Sequence, residues 1–325
     1  MISHWSFPKD EKRLPQFAKA GFNTVIATPG ELQACREHGW RAILAAPEDE
    51  AAKYLEDPIV WGYFVFDEPA LKKVPYNTFV KRMEAFHGLD PKRPAYINLN
   101  EKDDPEAFIK TLKPRVLSYD YYQWWAKPEP FFPLLEKFRA AALAADIPLL
   151  CWVEAVAAAH GPPPADNEAK IRHSVYSALA YGAKGIQWWA WRPESPDCAK
   201  INAELKVLGL TLITLHSTDV FHTGPLPPQT RPVPEKFWVQ SSTPSLLLGV
   251  FQNKEKQDFL LVANRDWQHD HGAELVFDSS ITTIATLDKA SGKWTDAKLV
   301  AKDDRKTLTL PLAKGDGILL RVSNK

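Results

Sequence analysis

About 220 residues at the start of the chain alternate short apolar segments with amphipathic ones, and this alternation limits the fold most. The apolar segments are roughly four to eight residues long and rich in β-branched and aromatic residues, which predicts strands. The eight predicted strands are Ile2–Trp5, Asn23–Thr28, Arg41–Ala45, Val60–Phe66, Ala95–Leu99, Val116–Tyr122, Pro148–Val153 and Gly185–Trp191. Helical patterns lie between strands, at Asp10–Ala20, Pro75–His87, Pro130–Ala145 and Asn167–Tyr181.

Regular alternation of strands and helices indicates a parallel sheet. Eight such units match a compact (β/α)₈ TIM barrel, an α/β fold. The structural alternative is a doubly wound sheet, which usually carries a glycine-rich first turn. No G-x-G-x-x-G follows any predicted strand here, so the barrel is the favoured prediction.

A proline-rich segment separates this region from a different sequence texture. Thr223–Glu235 holds five prolines in thirteen residues and predicts a semi-rigid linker. After it come short strand-like runs separated by turns, which predict a small all-β sandwich. These runs are Phe237–Gln240, Leu246–Gln252, Phe259–Asn264, Ala273–Phe277, Thr283–Asp288, Lys298–Val300, Thr307–Leu310 and Gly317–Val322. The predicted organisation is therefore a barrel over 1–222, a linker over 223–235 and a sandwich over 236–325.

Charge and cysteine content argue against several function classes. The 325 residues include 40 basic and 40 acidic side chains, with no basic stripe, so neither nucleic acid nor a membrane is an expected partner. Cys35, Cys151 and Cys198 are scattered and form no C-x-x-C, which argues against disulfides and structural zinc. The polar cluster Asp266, Asp270, His269 and His271 falls in a predicted loop, and no metal or cofactor is expected there or elsewhere.

The start of the chain bears on localisation. It has no apolar segment or cleavage site of a signal peptide, and the chain has no apolar run long enough to span a membrane. We expect a cytoplasmic protein, or a secreted or periplasmic one if a leader preceding the first strand has been removed. The sequence does not predict the oligomeric state.

Two glutamates end predicted barrel strands, where barrel enzymes place their reactive groups. Strand four ends in Asp67-Glu68-Pro69, and strand seven ends in Glu154. Strands four and seven lie nearly opposite in an eight-stranded ring, so we expect the two side chains to converge. Carboxyl groups about 5 to 5.5 Å apart suit retaining glycoside hydrolysis. Each motif alone also fits an acidic residue at a helix start.

A glutamate ending strand four and another ending strand seven resembles clan A of the glycoside hydrolases, the retaining (β/α)₈ enzymes. The resemblance covers about two thirds of the chain and implies that Glu68 is the acid/base and Glu154 the nucleophile. Most of the clan has Asn where this chain has Asp67, so the resemblance is to a divergent Asp-Glu-Pro branch. Asp67 would accept from a sugar 2-hydroxyl, and its charge would raise the pKa of Glu68. The trailing sandwich resembles the accessory domain of such enzymes.

Further candidates come from the remaining strand ends. The clan often has a strand-six tyrosine that contacts the nucleophile and a strand-eight tryptophan under the sugar, and Tyr121 or Tyr122 and Trp189 or Trp191 match these. The other substrate-binding candidates are His4, Trp5, Asn98 and Trp152, with Asn100 near the end of strand five. Glu101 and Asp120 are the alternative carboxylates if the strands are miscounted. The 12 tryptophans favour a carbohydrate ligand, although packing explains any single ring equally well.

The sequence thus predicts a retaining β-glycosidase that hydrolyses a neutral β-linked oligo- or polysaccharide, of β-glucan or β-galactoside type, by two-glutamate double displacement. Two alternatives stay open. One is a carbohydrate-binding barrel without catalysis, with Asp67 marking a lost site. The other is a barrel hydrolase or lyase that uses the same carboxylates on a substrate other than a sugar.

Overall fold

The computed structural model describes residues 1–5, 7–8, 10–158, 161–193, 196–302 and 305–324. These residues form a closed eight-stranded barrel and two antiparallel sheets. The predicted fold class, a TIM barrel followed by an all-β sandwich, is confirmed. No helix among the described residues is long and apolar enough to cross a membrane.

The barrel strands follow one another in chain order, and β8 pairs with β1 to close the ring. All neighbouring pairs are parallel, and each predicted strand overlaps one observed strand. The strands are β1 (Ile2–His4), β2 (Thr24–Ala27), β3 (Arg41–Leu44), β4 (Val60–Asp67), β5 (Ala95–Leu99), β6 (Leu117–Asp120), β7 (Leu149–Glu154) and β8 (Gly185–Trp189). Gly62 allows β4 to approach β5 closely, because a Cβ there would lie 2.6 Å from the Pro94 carbonyl oxygen.

The helices follow the strands as the alternation predicts. They are α1 (Leu14–Lys19), α2 (Leu32–His38), α3 (Glu48–Ala51), α4 (Val80–Leu89), α5 (Pro105–Leu112), α6 (Phe131–Ala144), α7 (Asn167–Ala180) and α8 (Asp197–Leu212). Short 3-10 turns occur at Glu11–Arg13, Pro29–Glu31, Ala52–Tyr54 and Tyr76–Phe79. The start of α5 shows the local rules: Asp104 caps the amides of Glu106 and Ala107, and Pro105 occupies the first turn.

The chain divides into two compact units that do not follow chain order. The first comprises residues 1–122, 136–155 and 183–202, and it contains all eight barrel strands. The second comprises residues 123–135, 156–182 and 203–325. It takes α7 and the second half of α8 together with the antiparallel sheets.

The second unit holds ten further strands. They are β9 (His216–His222), β10 (Val239–Gln240), β11 (Leu246–Gln252), β12 (Asp258–Asn264), β13 (His271–Phe277), β14 (Ile281–Leu287), β15 (Trp294–Asp296), β16 (Val300–Lys302), β17 (Arg305–Leu312) and β18 (Gly317–Asn324). One sheet has the order β15-β14-β18-β12-β11-β9, and the other has the order β10-β13-β17-β16. Apolar side chains of both sheets, such as Leu248, Leu260 and Leu275, form one buried core.

The sheet begins earlier than the sequence prediction placed it. β9, assigned above to the barrel region, pairs antiparallel with β11. Thr223–Glu235 therefore connects two strands of this unit, β9 and β10, and its first amide donates to the Leu246 carbonyl over 3.0 Å. The exposed and buried residues of β9 are mixed, which made it hard to recognise as a strand. β15 is only three residues long, and no predicted strand covers it.

Alternation along the barrel strands decides which side chains face the interior. On β8, Trp188 points outward and its indole nitrogen donates to Asn202 of α8 over 2.8 Å. The neighbouring Gln187 points inward, because its Oε1 accepts from Tyr96 of β5, on the far side of the ring, over 3.1 Å. Inward residues at the carboxyl ends of the strands therefore meet at one mouth.

Candidate active site

Asp67 and Glu68 lie where β4 ends. Asp67 is its last residue, and Glu68 has a φ of +50°, in the left-handed region that residues other than glycine rarely adopt. The Glu68 amide donates to the Asn98 carbonyl of β5 over 2.8 Å, which holds this conformation. Such backbone strain is concentrated at functional sites in proteins. The strained turn places a half-buried carboxyl at the mouth.

Glu154 is the last residue of β7 and is fully buried, with 0% of its surface exposed. It lies beside Trp189, its partner on β8. The next amide, that of Ala155, donates to the Trp189 carbonyl over 2.9 Å and continues the pairing past the strand end. Burying a carboxyl group costs free energy unless the group is compensated. The complete burial of Glu154 therefore calls for a structural or functional explanation.

A third carboxyl group, that of Asp120, ends β6 and is 5% exposed. The Asn98 side-chain nitrogen lies 2.8 Å from Asp120 Oδ2 and 3.3 Å from Asp67 Oδ1. The other Asp67 oxygen accepts from Lys72 Nζ over 2.8 Å. Both Asp67 oxygens therefore have partners within the protein, but each can accept a further hydrogen bond, so the expected contact with a substrate hydroxyl stays a prediction.

The carboxyl groups of the mouth shift one another's protonation. Burial raises the pKa of Glu68, and the charge of Asp67 raises it further, as the sequence analysis expected. Burial also raises the pKa of Asp120 well above its usual range, with the charge of Glu68 as the next cause. The raised pKa favours the protonated form of Glu68, as a general acid needs, and burial favours the protonated form of Asp120 as well.

Tyr122 lies near the carboxyl groups at the ends of three strands, β4, β6 and β7. Its hydroxyl lies 3.5 Å from Asp120 Oδ2. Burial raises its pKa well above the usual range, and the charges of Asp120, Glu154 and Glu68 follow as further causes, in that order. The Tyr122 hydroxyl therefore lies within the electrostatic field of both predicted catalytic glutamates. Tyr121, the other strand-six candidate, is buried with 8% of its surface exposed.

A cluster of aromatic rings lies at the same mouth. The Trp5 ring centroid is 5.3 Å from that of Trp152, 5.7 Å from that of Phe64 and 5.8 Å from that of Trp189. The Tyr122 and Trp189 rings face each other with centroids 6.5 Å apart and planes inclined by 24°. Trp5, Tyr122 and Trp189 are each partly exposed, so this group can offer ring faces to a ligand.

His4 and Trp191 belong to another cluster. Trp191 packs against Phe17 and Phe22 with centroid distances of 5.5 and 5.6 Å, and His4 contacts the same two rings. β8 ends at Trp189, and Ala190 has a φ of +55°. The chain therefore turns between Trp189 and Trp191. Their side chains do not lie side by side on one face, as they would if the strand continued.

Three buried polar residues below the mouth were not anticipated. The Tyr96 hydroxyl accepts from Trp152 Nε1 over 2.8 Å and lies 2.8 Å from Ser118 Oγ. Ser118 Oγ in turn lies 2.9 Å from Asn98 Oδ1 and 3.0 Å from Gln187 Oε1. This hydrogen-bond network links Trp152 to the side-chain amide of Asn98, which donates to Asp120. Polar residues within apolar strands are the sequence signal that could have indicated it.

The loop after β5 carries two further candidates. The Asn100 side-chain nitrogen lies 3.5 Å from Glu68 Oε1, and Glu101 is exposed. Asp103, which is fully buried, accepts from the amides of Asn100 and Ala70 over 2.9 and 3.2 Å. Asp103 therefore ties this loop to the loop that follows Glu68, and it supports the position of both.

The cluster in the second unit is a local turn. Asp266 Oδ2 lies 2.9 Å from His269 Nδ1 and 3.2 Å from His271 Nε2. Asp270 accepts from the Lys314 amide over 2.9 Å. Across the described ranges, no group of three or more His, Cys, Asp or Glu side chains has the arrangement of a metal site.

By sequence, no family model and no curated protein matches the chain. By structure, similar proteins include a candidate alpha-galactosidase from Bacteroides fragilis (TM-score 0.58, 9% identity, 100% of this chain and 79% of that one). A GH29 alpha-L-fucosidase from Bacteroides thetaiotaomicron has a TM-score of 0.50 at 10% identity, covering 97% and 80% of the two chains. A GH51 arabinofuranosidase from Xanthomonas axonopodis pv. citri has a TM-score of 0.50 at 10% identity, covering 96% and 90%. These structural neighbours are glycoside hydrolases, and at such identities the likeness shows the fold alone.

Proposed function

We propose that the protein is a retaining β-glycosidase that hydrolyses a neutral oligo- or polysaccharide. The proposal is supported by two glutamates that end barrel strands at the same mouth: Glu68 follows β4 and has a raised pKa, and Glu154 is buried at the end of β7. The proposed mechanism requires Glu68 to be protonated and Glu154 to be ionised when the substrate reacts. The glycosidase fold of the structural neighbours supports the same reaction class.

In the proposed reaction Glu154 attacks the anomeric carbon as the glycosidic C–O bond breaks. The leaving oxygen takes the proton of Glu68. A water molecule then attacks the anomeric carbon, Glu68 accepts a proton from it, and the bond to Glu154 breaks with its electron pair returning to the carboxylate. The sugar leaves with its original anomeric configuration, and both glutamates regain their starting protonation.

The chemistry of the mouth favours a neutral sugar. In the proposed mechanism Glu154 is ionised and Asp67 carries charge in the same site, so the carboxylate of a sugar acid would be repelled. The rings of Trp5 and Trp189 offer apolar faces of the kind that pack on the C–H face of a sugar. A β-glucan or β-galactoside is the substrate class we propose, by the resemblance to clan A.

Access to Glu154 requires movement at the mouth. Its side chain is fully buried, whereas the neighbouring rings of Tyr122 and Trp189 are half-buried. We propose that these two rings are displaced when the sugar binds, so that the anomeric carbon reaches the carboxylate.

The same burial favours a second candidate, a carbohydrate-binding barrel without turnover. If the rings beside Glu154 never separate, a sugar can bind over Trp5 and Trp189 without reaching a nucleophile. A hydrolase or lyase acting on a substrate other than a sugar would use the same carboxyl groups, and it is distinguished by its substrates.

The direct test is turnover of aryl β-glycosides and β-glucans, with matched aryl α-glycosides, followed by proton NMR of the first product. We expect hydrolysis of a β-glycoside and initial release of the β-anomer. Binding without turnover on the whole panel would support the second candidate. Hydrolysis of α-glycosides alone, or release of the inverted anomer, would contradict the proposed mechanism.

A further inference from the structure

A cavity lies at the end of the barrel opposite the candidate active site, where the strands begin. Its volume is about 410 Å³. It is bordered by the first residues of β3 and β4 and by residues just before β5, β6 and β7. The candidate active site lies at the other ends of these strands, so the cavity is separate from it. All of its lining residues belong to the first unit.

Four basic side chains line this cavity: Arg41, Lys92, Arg93 and Arg115. Arg93 is already held, because its guanidinium lies 3.2 Å from Asp90 Oδ2 and donates to the Asp57 carbonyl over 2.7 Å. The other three are Arg41, Lys92 and Arg115. None of them forms an ion pair with a described residue.

These basic side chains line one cavity and are not scattered over the surface. Arg115 donates to the Pro91 carbonyl, which holds its side chain at the cavity wall. Lys92 and Arg41 are exposed and line the same cavity. Several cations that line one concave surface raise the local potential and favour binding of an anion. Guanidinium groups in particular match the spacing of phosphate and sulfate oxygens.

The remaining lining residues are apolar. Trp61, partly exposed at the start of β4, lines the cavity together with Pro58, Pro94 and Pro148. A tryptophan ring beside an anion site can pack against the organic part of a ligand, such as a sugar ring. The cavity volume lies within the range of small-molecule sites, about 300 to 1,000 Å³.

We propose that this cavity binds a tetrahedral oxyanion, a phosphate or sulfate group held by Arg41, Lys92 and Arg115. The ligand is either the free ion or a monoester whose organic part packs on Trp61. The site is distinct from the proposed glycosidase centre and does not depend on it.

Isothermal titration calorimetry at low salt tests the proposal with inorganic phosphate, glucose 6-phosphate and glucose. We expect the two phosphates to bind and glucose not to bind at this end of the barrel. Lys92→Gln and Arg115→Gln should each weaken phosphate binding about tenfold, the effect of losing one charge-assisted hydrogen bond. Lys92 is exposed and its side chain makes no hydrogen bond or ion pair with any described residue, so K92Q keeps the test valid if R115Q unfolds.

The controls separate this site from the active site. Lys110→Gln removes an exposed charge of α5 and should leave phosphate affinity unchanged, as should Glu68→Gln. Tighter binding of glucose 6-phosphate than of phosphate, lost in Trp61→Ala, assigns the site to a monoester. Equal binding of both assigns it to the free ion. Undetectable phosphate binding by the wild type, or unchanged affinity in both K92Q and R115Q, overturns the proposal and leaves the glycosidase proposal untouched.

Discussion

The side-chain amide of Asn98 donates to the carboxyl group of Asp120, with 2.8 Å between Nδ2 and Oδ2. The same nitrogen lies 3.3 Å from Asp67 Oδ1, so one neutral amide serves two acidic groups. Asp120 is nearly fully buried and its pKa is raised well above the usual range by that burial. A protonated Asp120 allows several carboxyl groups to share the mouth with less repulsion.

Asp120→Asn and Asp120→Ala should differ in stability. A folded-state pKa raised above the unfolded value means that protonation stabilises the fold at low pH, and that this stability is lost as pH rises through the window above about 3.9. The neutral amide of D120N avoids that loss, so its unfolding midpoint in urea at pH 7 should equal or exceed the wild type's. D120A removes the shorter of the two hydrogen bonds that the Asn98 amide donates and leaves a gap among buried groups, so it should lose about 1 to 3 kcal/mol. Equal destabilisation by both substitutions would show that Asp120 is ionised in the fold.

Asp67→Asn and Lys72→Met should shift the pH profile of activity in opposite directions. The charge of Asp67 raises the pKa of Glu68, and the charge of Lys72 lowers it. The alkaline limb of kcat/KM, where a general acid loses its proton, should move to lower pH in D67N and to higher pH in K72M. Profiles measured on one aryl glycoside check this. Shifts in the same direction, or none in either variant, would argue against Glu68 as the acid.

The barrel and its two glutamates could be predicted because their signals are local. Apolar β-branched runs mark strands, and a glutamate at a strand end must lie at the mouth once the strand order is known. The position of the Trp191 side chain could not be predicted, because it depends on the turn at Ala190, where φ is +55°. The roles of Ser118 and Tyr96 depend on contacts across the barrel, and no periodicity shows which distant strands face each other.

Trp189→Ala and Trp191→Ala should have different consequences. Trp189 borders Glu154 and faces Tyr122, so W189A should raise KM several-fold, about the worth of one ring contact, and leave the melting temperature near that of the wild type. Trp191 packs on Phe17 and Phe22, so W191A should lose about 2 kcal/mol or more of folding free energy. Melting curves and KM values of both variants check this. A W191A variant of normal stability and raised KM would reverse the assignment.

Two buried histidines should make the second unit sensitive to acid. Burial, followed by the charge of Arg265, lowers the pKa of His173 and of His222 to about 3. Unfolded histidine titrates near 6.5, so only the unfolded chain takes up these protons between pH 6.5 and 3. Stability should therefore fall as pH falls through this window, by about 1.4 kcal/mol per pH unit for each histidine.

Urea unfolding between pH 7.5 and 5 measures this slope. His222→Gln should reduce it. Equal slopes in the wild type and H222Q would mean that His222 is protonated in the folded protein at pH 5.

The central claim is that Glu154 is the nucleophile and Glu68 the acid/base. It is tested most directly by turnover of a dinitrophenyl glycoside, whose leaving group needs no proton, with and without azide. Glu68→Ala should retain part of its activity on this substrate, and azide should accelerate it and give a glycosyl azide of retained configuration. Glu154→Ala should lose several orders of magnitude in kcat, and azide should give only the inverted product. Near wild-type turnover of a polysaccharide by both variants would contradict the assignment, and Asp120 and Glu101 would then be the carboxyl groups to test.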